Sequence, residues 1–389
     1  MFNRFTYALG GLLPHRLSPQ VRALYWASTL QGLAMAMLLL FEPIYLWQQG
    51  FGIKGVLVFF LGVYIFYLFL MPLGAQFATR HGYEHSMVVS TVIQVTYYAT
   101  LFLIEQSWWF ALPAAALYAL QKTFYWPAYH ADFVRYSDKN EEGRQVSSLT
   151  IISTLVYIVG PLLAGWLITV GSWWLLFAFG STLMLLSAWP LLSVPEIFTP
   201  REFSYPEAFK RLFAVESRKR LFSYFGFGEE LIALVVWPIF IYTVIIGYVE
   251  IGALVAGATL ITALVTLYIG KITDDNKKVT TLRLSTIFYS LGWVARLFFM
   301  LPFQVFLIDS WSRTGKNMVV VPLTAITYDQ AREHSVMDIV IFYEMSLVVG
   351  KILAIVILLF ILSLVNVSLA WNISWIVAGA MTLFYLLHA

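Results

Sequence analysis

The sequence predicts an all-α integral membrane protein, with twelve transmembrane helices folded as two six-helix bundles. Three observations predict it. The 389-residue chain is 60% hydrophobic and 12% charged, with a mean hydropathy of +0.78. Soluble domains carry about 25% charged residues, so this chain lacks the polar surface of a soluble globule. Its basic residues gather on one side of the expected crossings, and landmark residues recur at an offset of 195.

The apolar runs come first. A helix needs about 20 apolar residues to cross a hydrocarbon core of about 30 Å. Residues 151–170 and 172–195 each supply a run without Asp, Glu, Lys or Arg, and none of these residues follows Lys351. Lipid cannot satisfy a free backbone amide, so a crossing segment is helical unless it belongs to a closed barrel. These runs do not alternate as barrel strands would. The expected spans are 23–47, 52–78, 86–104, 107–133, 146–170, 172–194, 220–247, 251–271, 282–302, 304–328, 336–363 and 368–388. The chain has no cysteine, which excludes disulfides and thiolate metal sites. The first 21 residues are no clean signal peptide, because their apolar run is short and Arg16 follows it.

Orientation follows from the basic residues. Eighteen of the 24 Lys and Arg lie in the N-terminal segment and the even-numbered connections, and Lys54 alone lies in an odd-numbered loop. Both termini are therefore expected in the cytoplasm of a plasma (inner) membrane. The long polar connection 195–219 is read as a cytoplasmic linker with a surface helix. It divides an N-terminal bundle, 1–194, from a C-terminal one, 220–389.

The offset of 195 supports that division. It relates Pro43 to Pro238, Gly62 to Gly257, Ala75 to Gly270 and Pro127 to Pro322. Each pair falls at an equivalent place in the span order, which indicates a duplicated unit. Six spans is an even number, so both copies share one orientation and an axis along the membrane normal relates them.

A turn of ten residues, "AQFATRHGYE" from Ala75, joins spans 2 and 3; its counterpart from Gly270 reads "GKITDDNKK". Together with the repeat, these turns resemble the major facilitator superfamily, whose turn reads Gly-x-Leu-Ala-Asp-Arg-x-Gly-Arg-Lys. Phe77, Ala78, Arg80 and Gly82 fit loosely, and Thr79 stands in place of the Asp. The second copy keeps Gly270, Asp274 and Lys278. The resemblance implies that these turns latch the two halves on the cytoplasmic side. Span 5 reads "VYIVGPLLAG". It resembles the superfamily's exporter run through Gly160, Pro161 and Gly165. Close helix packing and a proline bend account for it equally well. The resemblance further implies alternating access around a central cavity lined by spans 1, 4, 7 and 10.

Ionisable residues within spans are costly and face a cavity or a partner. They are Glu42, Lys122, Glu229, Glu230, Arg296, Asp309, Arg313, Lys316, Glu344 and Lys351, and most fall on the cavity helices that the resemblance implies. Asp309, Arg313 and Lys316 share a helix face, as do Glu344 and Lys351. Asp309 and Arg313 can neutralise each other at i, i+4. Glu42 has no basic residue within a turn and adjoins Pro43, where the helix ladder loses a bond; Pro238 breaks span 7 likewise. Glu42 is thus the expected carrier of a coupling proton or a substrate contact. Glu229 and Glu230 are expected as solvated residues near the inner end of span 7. Arg296 is expected to snorkel outward. Lys122 and Lys316 are expected to face each other, which suits an anionic group. Tyr125, Trp126 and Trp237 are expected to form an aromatic wall below Lys122.

The sequence excludes other classes. No Gly-x-x-x-x-Gly-Lys-Ser/Thr loop occurs, so nucleotide hydrolysis is not expected. The six histidines assemble no catalytic or metal pattern, and the net charge of +3 is too small for a nucleic-acid partner. The expectation is a monomeric secondary transporter that needs no cofactor. It moves a small molecule, with protons as the coupling ion and a lean toward efflux of amphipathic compounds. Uptake or exchange of a polar organic anion or sugar stays open, as does a non-transporting sensor or lipid flippase.

Overall fold

The computed structural model describes residues 19–136, 142–193, 200–270, 278–299, 301–333 and 335–388. Among them every regular element is helical. α1 (Pro19–Leu46) widens into a π turn (Trp47–Phe51), then α2 (Gly52–His81), α3 (Tyr83–Phe102), α4 (Ala111–Tyr136) and α5 (Glu142–Leu192) follow. α6 (Tyr205–Leu212) lies in the predicted linker. α7 (Arg218–Tyr224), α8 (Gly228–Leu231) and α9 (Trp237–Val244) are successive pieces of one rod, interrupted by a 3-10 turn (Phe225–Phe227) and a π turn (Ile232–Val236). α10 (Tyr248–Gly270), α11 (Lys278–Ala295), α12 (Pro302–Glu333), α13 (Val336–Leu364) and α14 (Val367–Thr382) complete the described chain.

Seven segments among the described residues are long and apolar enough to cross a membrane. Two of these, Arg22–His81 and Ile152–Leu192, each cover two expected spans. The second has 41 residues. A straight helix of that length would reach about 60 Å, twice the hydrocarbon core. It does not stay straight. Ser172 has φ 69°, ψ −178°, outside helical space. Gly160, before it, abuts Ala36, and Gly180, after it, abuts Leu38. Both limbs of α5 therefore lie against the same stretch of α1, so the chain folds back at Ser172. Gly50, at φ 87°, interrupts the first segment in the same way. Helices also occupy the expected spans 4, 9 and 10, as α4, α11 and α12. They fall outside the seven; α12 carries Asp309, Arg313 and Lys316, and α4 carries Lys122 and His130.

Packing repeats the sequence offset. Gly62 of α2 faces Ala115 of α4, and Gly257 of α10 faces Phe306 of α12. The halves meet through α5 against α10 and through α2 against α13. Small residues permit the first contact. A Cβ on Gly165 would stand 2.3 Å from the Tyr248 carbonyl oxygen, and one on Gly252 would stand 2.3 Å from that of Pro161. The run around Gly160 and Pro161 is thus a packing surface, and α5 continues through Pro161.

The paired prolines behave differently. α1 stays helical through Pro43 and widens only at Trp47, whereas Pro238 opens α9 directly after a π turn. The linker helix α6 is tied to the second half, where Arg211 Nη1 lies 2.6 Å from Asp338 Oδ2 at the start of α13.

Candidate functional site

Two cavities lie between the helices, and Glu230 and Leu234 line both. The smaller, of about 230 Å³, takes Glu42 from α1, Tyr64 and Tyr67 from α2, Lys122 and His130 from α4, and Glu344 and Lys351 from α13. The larger, of about 550 Å³, takes Tyr157 from α5, Trp237 from α9, and Asp309, Arg313 and Lys316 from α12. Arg296, just beyond α11, completes its charged wall. That volume matches sites for small organic molecules.

Glu42 is 1% exposed, and neither carboxylate oxygen makes a hydrogen bond. The Tyr97 hydroxyl, also without a partner, stands close enough to interact with it. Pro43 lacks the N–H that would bond the Leu39 carbonyl, and Leu39 lines the same cavity. The Lys122 ammonium lies 4.4 Å from the centre of the Tyr118 ring and meets no carboxylate within ion-pair distance among the described residues. The two groups act on each other across the smaller cavity, beyond ion-pair distance. Nearby, Glu344 is fully engaged. The Tyr67 hydroxyl donates to its Oε2 at 2.9 Å, and His130 Nε2 lies 3.1 Å from its Oε1. His130 Nδ1 lies 2.6 Å from the Tyr328 hydroxyl. With Nε2–H donating to Glu344, Nδ1 accepts from Tyr328, and a neutral imidazole is satisfied at both ends. This bridge joins α4 to α12 and α13, one half to the other.

Around the larger cavity the charges are mostly paired. Arg313 Nε donates to Asp309 Oδ2 at 2.7 Å, as the i, i+4 spacing predicts. Trp237 Nε1 donates to Asp309 Oδ1 at 2.8 Å. Lys351 Nζ lies 2.8 Å from Glu230 Oε2. Glu229 is fully buried and accepts from the Lys316 ammonium and from the hydroxyls of Tyr289 and Tyr385.

Several expectations need correction. Glu229 and Glu230 are not solvated caps; Glu229 is fully buried against Lys316, and Glu230 holds Lys351 and lines both cavities. Lys316 does not confront Lys122 as a free cation, since Glu229 holds it and the two lysines line different cavities. Arg296 does not snorkel. The helix tightens to a 3-10 turn at this residue, and its guanidinium, 2% exposed, lies 3.6 Å from the Trp293 ring centre and 4.0 Å from that of Trp237. No shared aromatic wall forms. Trp126 lines the smaller cavity, Trp237 the larger, and Tyr125 lines neither but stacks on Tyr129 at 5.5 Å. Glu344 and Lys351 share a face but bind different partners.

In the last turn of α2, Arg80 is exposed, and Gly82, which ends the helix, adopts φ 110°, a conformation suited to glycine. Thr79 bonds its own helix through the Ala75 carbonyl at 2.8 Å, so its hydroxyl is not directed across to the other half. Gly270 closes α10; Asp274 lies outside the described residues, as does the side chain of Lys278. Sequence reasoning missed His130, whose partner is 214 positions away in Glu344. It also missed Gln48, whose Nε2 donates to the hydroxyls of Tyr242 at 2.6 Å and Tyr248 at 2.7 Å, tying the end of α1 to α9 and α10. A neutral residue in a polar loop sends no signal in one sequence.

A helical membrane protein with a charged cavity between two packed halves has the architecture of a solute transporter. The sequence model of the Major Facilitator Superfamily matches residues 24–249, and the chain belongs to that superfamily. Among solved structures it is similar to the POT family transporter PepTSo, with a TM-score of 0.71 and 12% identity over 95% of this chain and 98% of that one. It is also similar to the human organic anion transporter MFSD10, at 0.66 and 15% over 95% and 99%. A mutant of the nucleoside transporter NupG gives 0.67 and 14% over 94% and 98%. At identities this low, the structural likeness shows a shared fold alone. No curated protein matches the chain in sequence.

Proposed function

We propose that this protein is a proton-coupled secondary transporter that moves a small polar solute by alternating access. The observation that carries the reading is Glu42, a carboxylate buried at the cavity wall with no hydrogen bond to either oxygen. A buried charge without a partner is costly, so protonation and access to the cavity are linked. In this reading Glu42 takes a proton when the cavity opens to one side and releases it toward Lys122 and water when the cavity opens to the other. Residues 1–194 and 220–389 rock as bodies about the α5–α10 and α2–α13 contacts. The Gln48 cluster closes one end, the His130–Glu344 bridge closes the other, and residues 195–219 tether the bodies. The turns at Arg80 and Gly270 assist the second closure. The protein acts as a monomer in a plasma (inner) membrane with both termini cytoplasmic. The charged side chains set in largely apolar cavity walls support a solute that carries a polar or charged group.

The test is reconstitution of the full chain into liposomes that trap a pH-sensitive dye, followed by addition of amino acids, organic acids, sugars and nucleosides in turn. A solute that moves protons in the wild type, and that Glu42→Gln exchanges without proton movement, is the expected result. Unchanged proton movement in Glu42→Gln removes the acid from the mechanism. Absence of any solute flux favours a sensor or flippase.

A further inference from the structure

Arg296, Arg313 and Lys316 line the larger cavity against two lining acids, Asp309 and Glu230, and Glu230 is taken by Lys351; Glu229, behind the wall, takes Lys316. Asp309 and Glu229 are the acidic groups that act on Arg296 most strongly. Both are already occupied. Asp309 receives Arg313 and Trp237, one on each oxygen. Glu229 receives Lys316, Tyr289 and Tyr385. Arg296 is left with aromatic faces. Trp293 and Trp237 flank it, its Nε and Nη1 have no hydrogen-bond partner, and it still lines the cavity. Aromatic faces attract a cation but do not accept its N–H bonds. A guanidinium out of water with unused donors is an incomplete ion pair. The missing partner is a planar acceptor, and carboxylate geometry matches the guanidinium fork.

The geometry points to Arg296 as the anchor of a substrate carboxylate, with Arg313 as the second cation, in a solute whose uncharged body lies along Tyr157, Leu234 and Tyr129. Arg313 is partly exposed beside the cavity and keeps donors beyond the one given to Asp309. The rest of the lining sets Phe133 and Ala233 with those three side chains beside Ser153 and Asn317, so the body offers apolar or aromatic surface with some polar groups. The substrate class is therefore a small organic carboxylate. This inference rests on the transport reading only for the route by which the solute reaches the cavity.

The test uses the purified full chain in lipid nanodiscs. Its Tm is recorded against benzoate, phenylacetate and hippurate, against the three corresponding amides, and against sulfate. At least one carboxylate is expected to raise the Tm saturably, while its amide and sulfate do not. Arg296→Met removes the fork and the charge, and Arg296→Lys keeps the charge alone. Apparent Kd is expected to weaken about 100-fold in the first and about 10-fold in the second, the range for losing a desolvated, bidentate charge-assisted contact. If Arg296→Met does not fold, Arg296→Lys and Arg313→Gln carry the test, each with an expected loss of about tenfold. Equal stabilisation by acid and amide, by sulfate, or by neither overturns the subsite, as does unchanged affinity in the Arg296 variants. Counterflow of labelled hippurate in proteoliposomes separates the two readings. Binding without flux defeats transport and leaves the subsite. Flux that ignores Arg296 defeats the subsite and leaves transport.

Discussion

Glu42 and Trp237 stand 195 residues apart, at the same place in the two copies of the repeat. One is an acid without a hydrogen bond; the other is an indole whose N–H is held by Asp309. The difference extends to their surroundings. On the Glu42 side, the acid and Lys122 stand apart. On the Trp237 side, Asp309, Arg313, Glu229 and Lys316 are locked into pairs, and Arg296 alone is in surplus. Packing was retained between the copies, as Gly62 and Gly257 show, while the charges diverged. On the proposed reading, one half holds the group that titrates and the other the cationic wall that recognises the solute.

That contrast can be broken from either side, and the largest effect is expected at Glu229. Glu229→Ala leaves the Lys316 ammonium and two tyrosine hydroxyls facing an empty, dry site. Removing one partner of a buried ion pair costs about 3–5 kcal/mol, so the Tm in detergent is expected to fall steeply. A Tm within a degree of wild type would mean that water already reaches this cluster. Gly165→Leu is next. Its side chain would enter the space held by the Tyr248 carbonyl, and overpacking of this kind costs about 1–3 kcal/mol. The α5–α10 contact lies between the halves, so solute flux is expected to fall further than the Tm does; equal losses would make the contact merely structural.

Smaller and of opposite character is Glu42→Gln. No hydrogen bond is lost, so stability is expected to stay within about 1 kcal/mol of wild type or to rise. The pH dependence of flux, by contrast, is expected to flatten. A large loss of stability would reveal a partner for Glu42 and would erase the contrast with the paired half. His130→Gln sharpens the comparison at the seam. It loses the bond to either Glu344 or Tyr328, each worth about 0.5–1.5 kcal/mol, and accessibility labelling is expected to show that end of the cavity open more often. Arg80→Ala is the smallest. The residue is exposed, and such changes are usually within ±0.5 kcal/mol. A flux defect without a stability defect would give the turn its gating role.

Much of the fold was legible because it rests on one-dimensional patterns. The apolar runs placed helices where helices occur, and the offset of 195 placed Gly62 and Gly257 at equivalent contacts. The i, i+4 spacing of Asp309 and Arg313 correctly implied their pair, since helix geometry alone brings those side chains together. Glu42 was found for a similar reason, as an acid that no neighbour in its own helix could neutralise. Arg296 was misplaced because an arginine one turn from a helix end has two outlets, outward to water or inward to a cavity, and sequence does not say which face is inward. The lysine–glutamate pairs were misjudged because their partners lie on other helices.

The sequence by itself determined that this chain is a helical membrane protein with an internal repeat and a small set of in-span charges. Hydropathy, charge asymmetry and periodicity are local properties of a chain, and the bilayer turns them directly into structure. Only the tertiary structure decided which charges are spent on one another and which stand without a bonded counter-charge. That outcome depends on which helices pack side by side, and contacts such as Lys316–Glu229 and His130–Glu344 exist only after distant segments have been brought together.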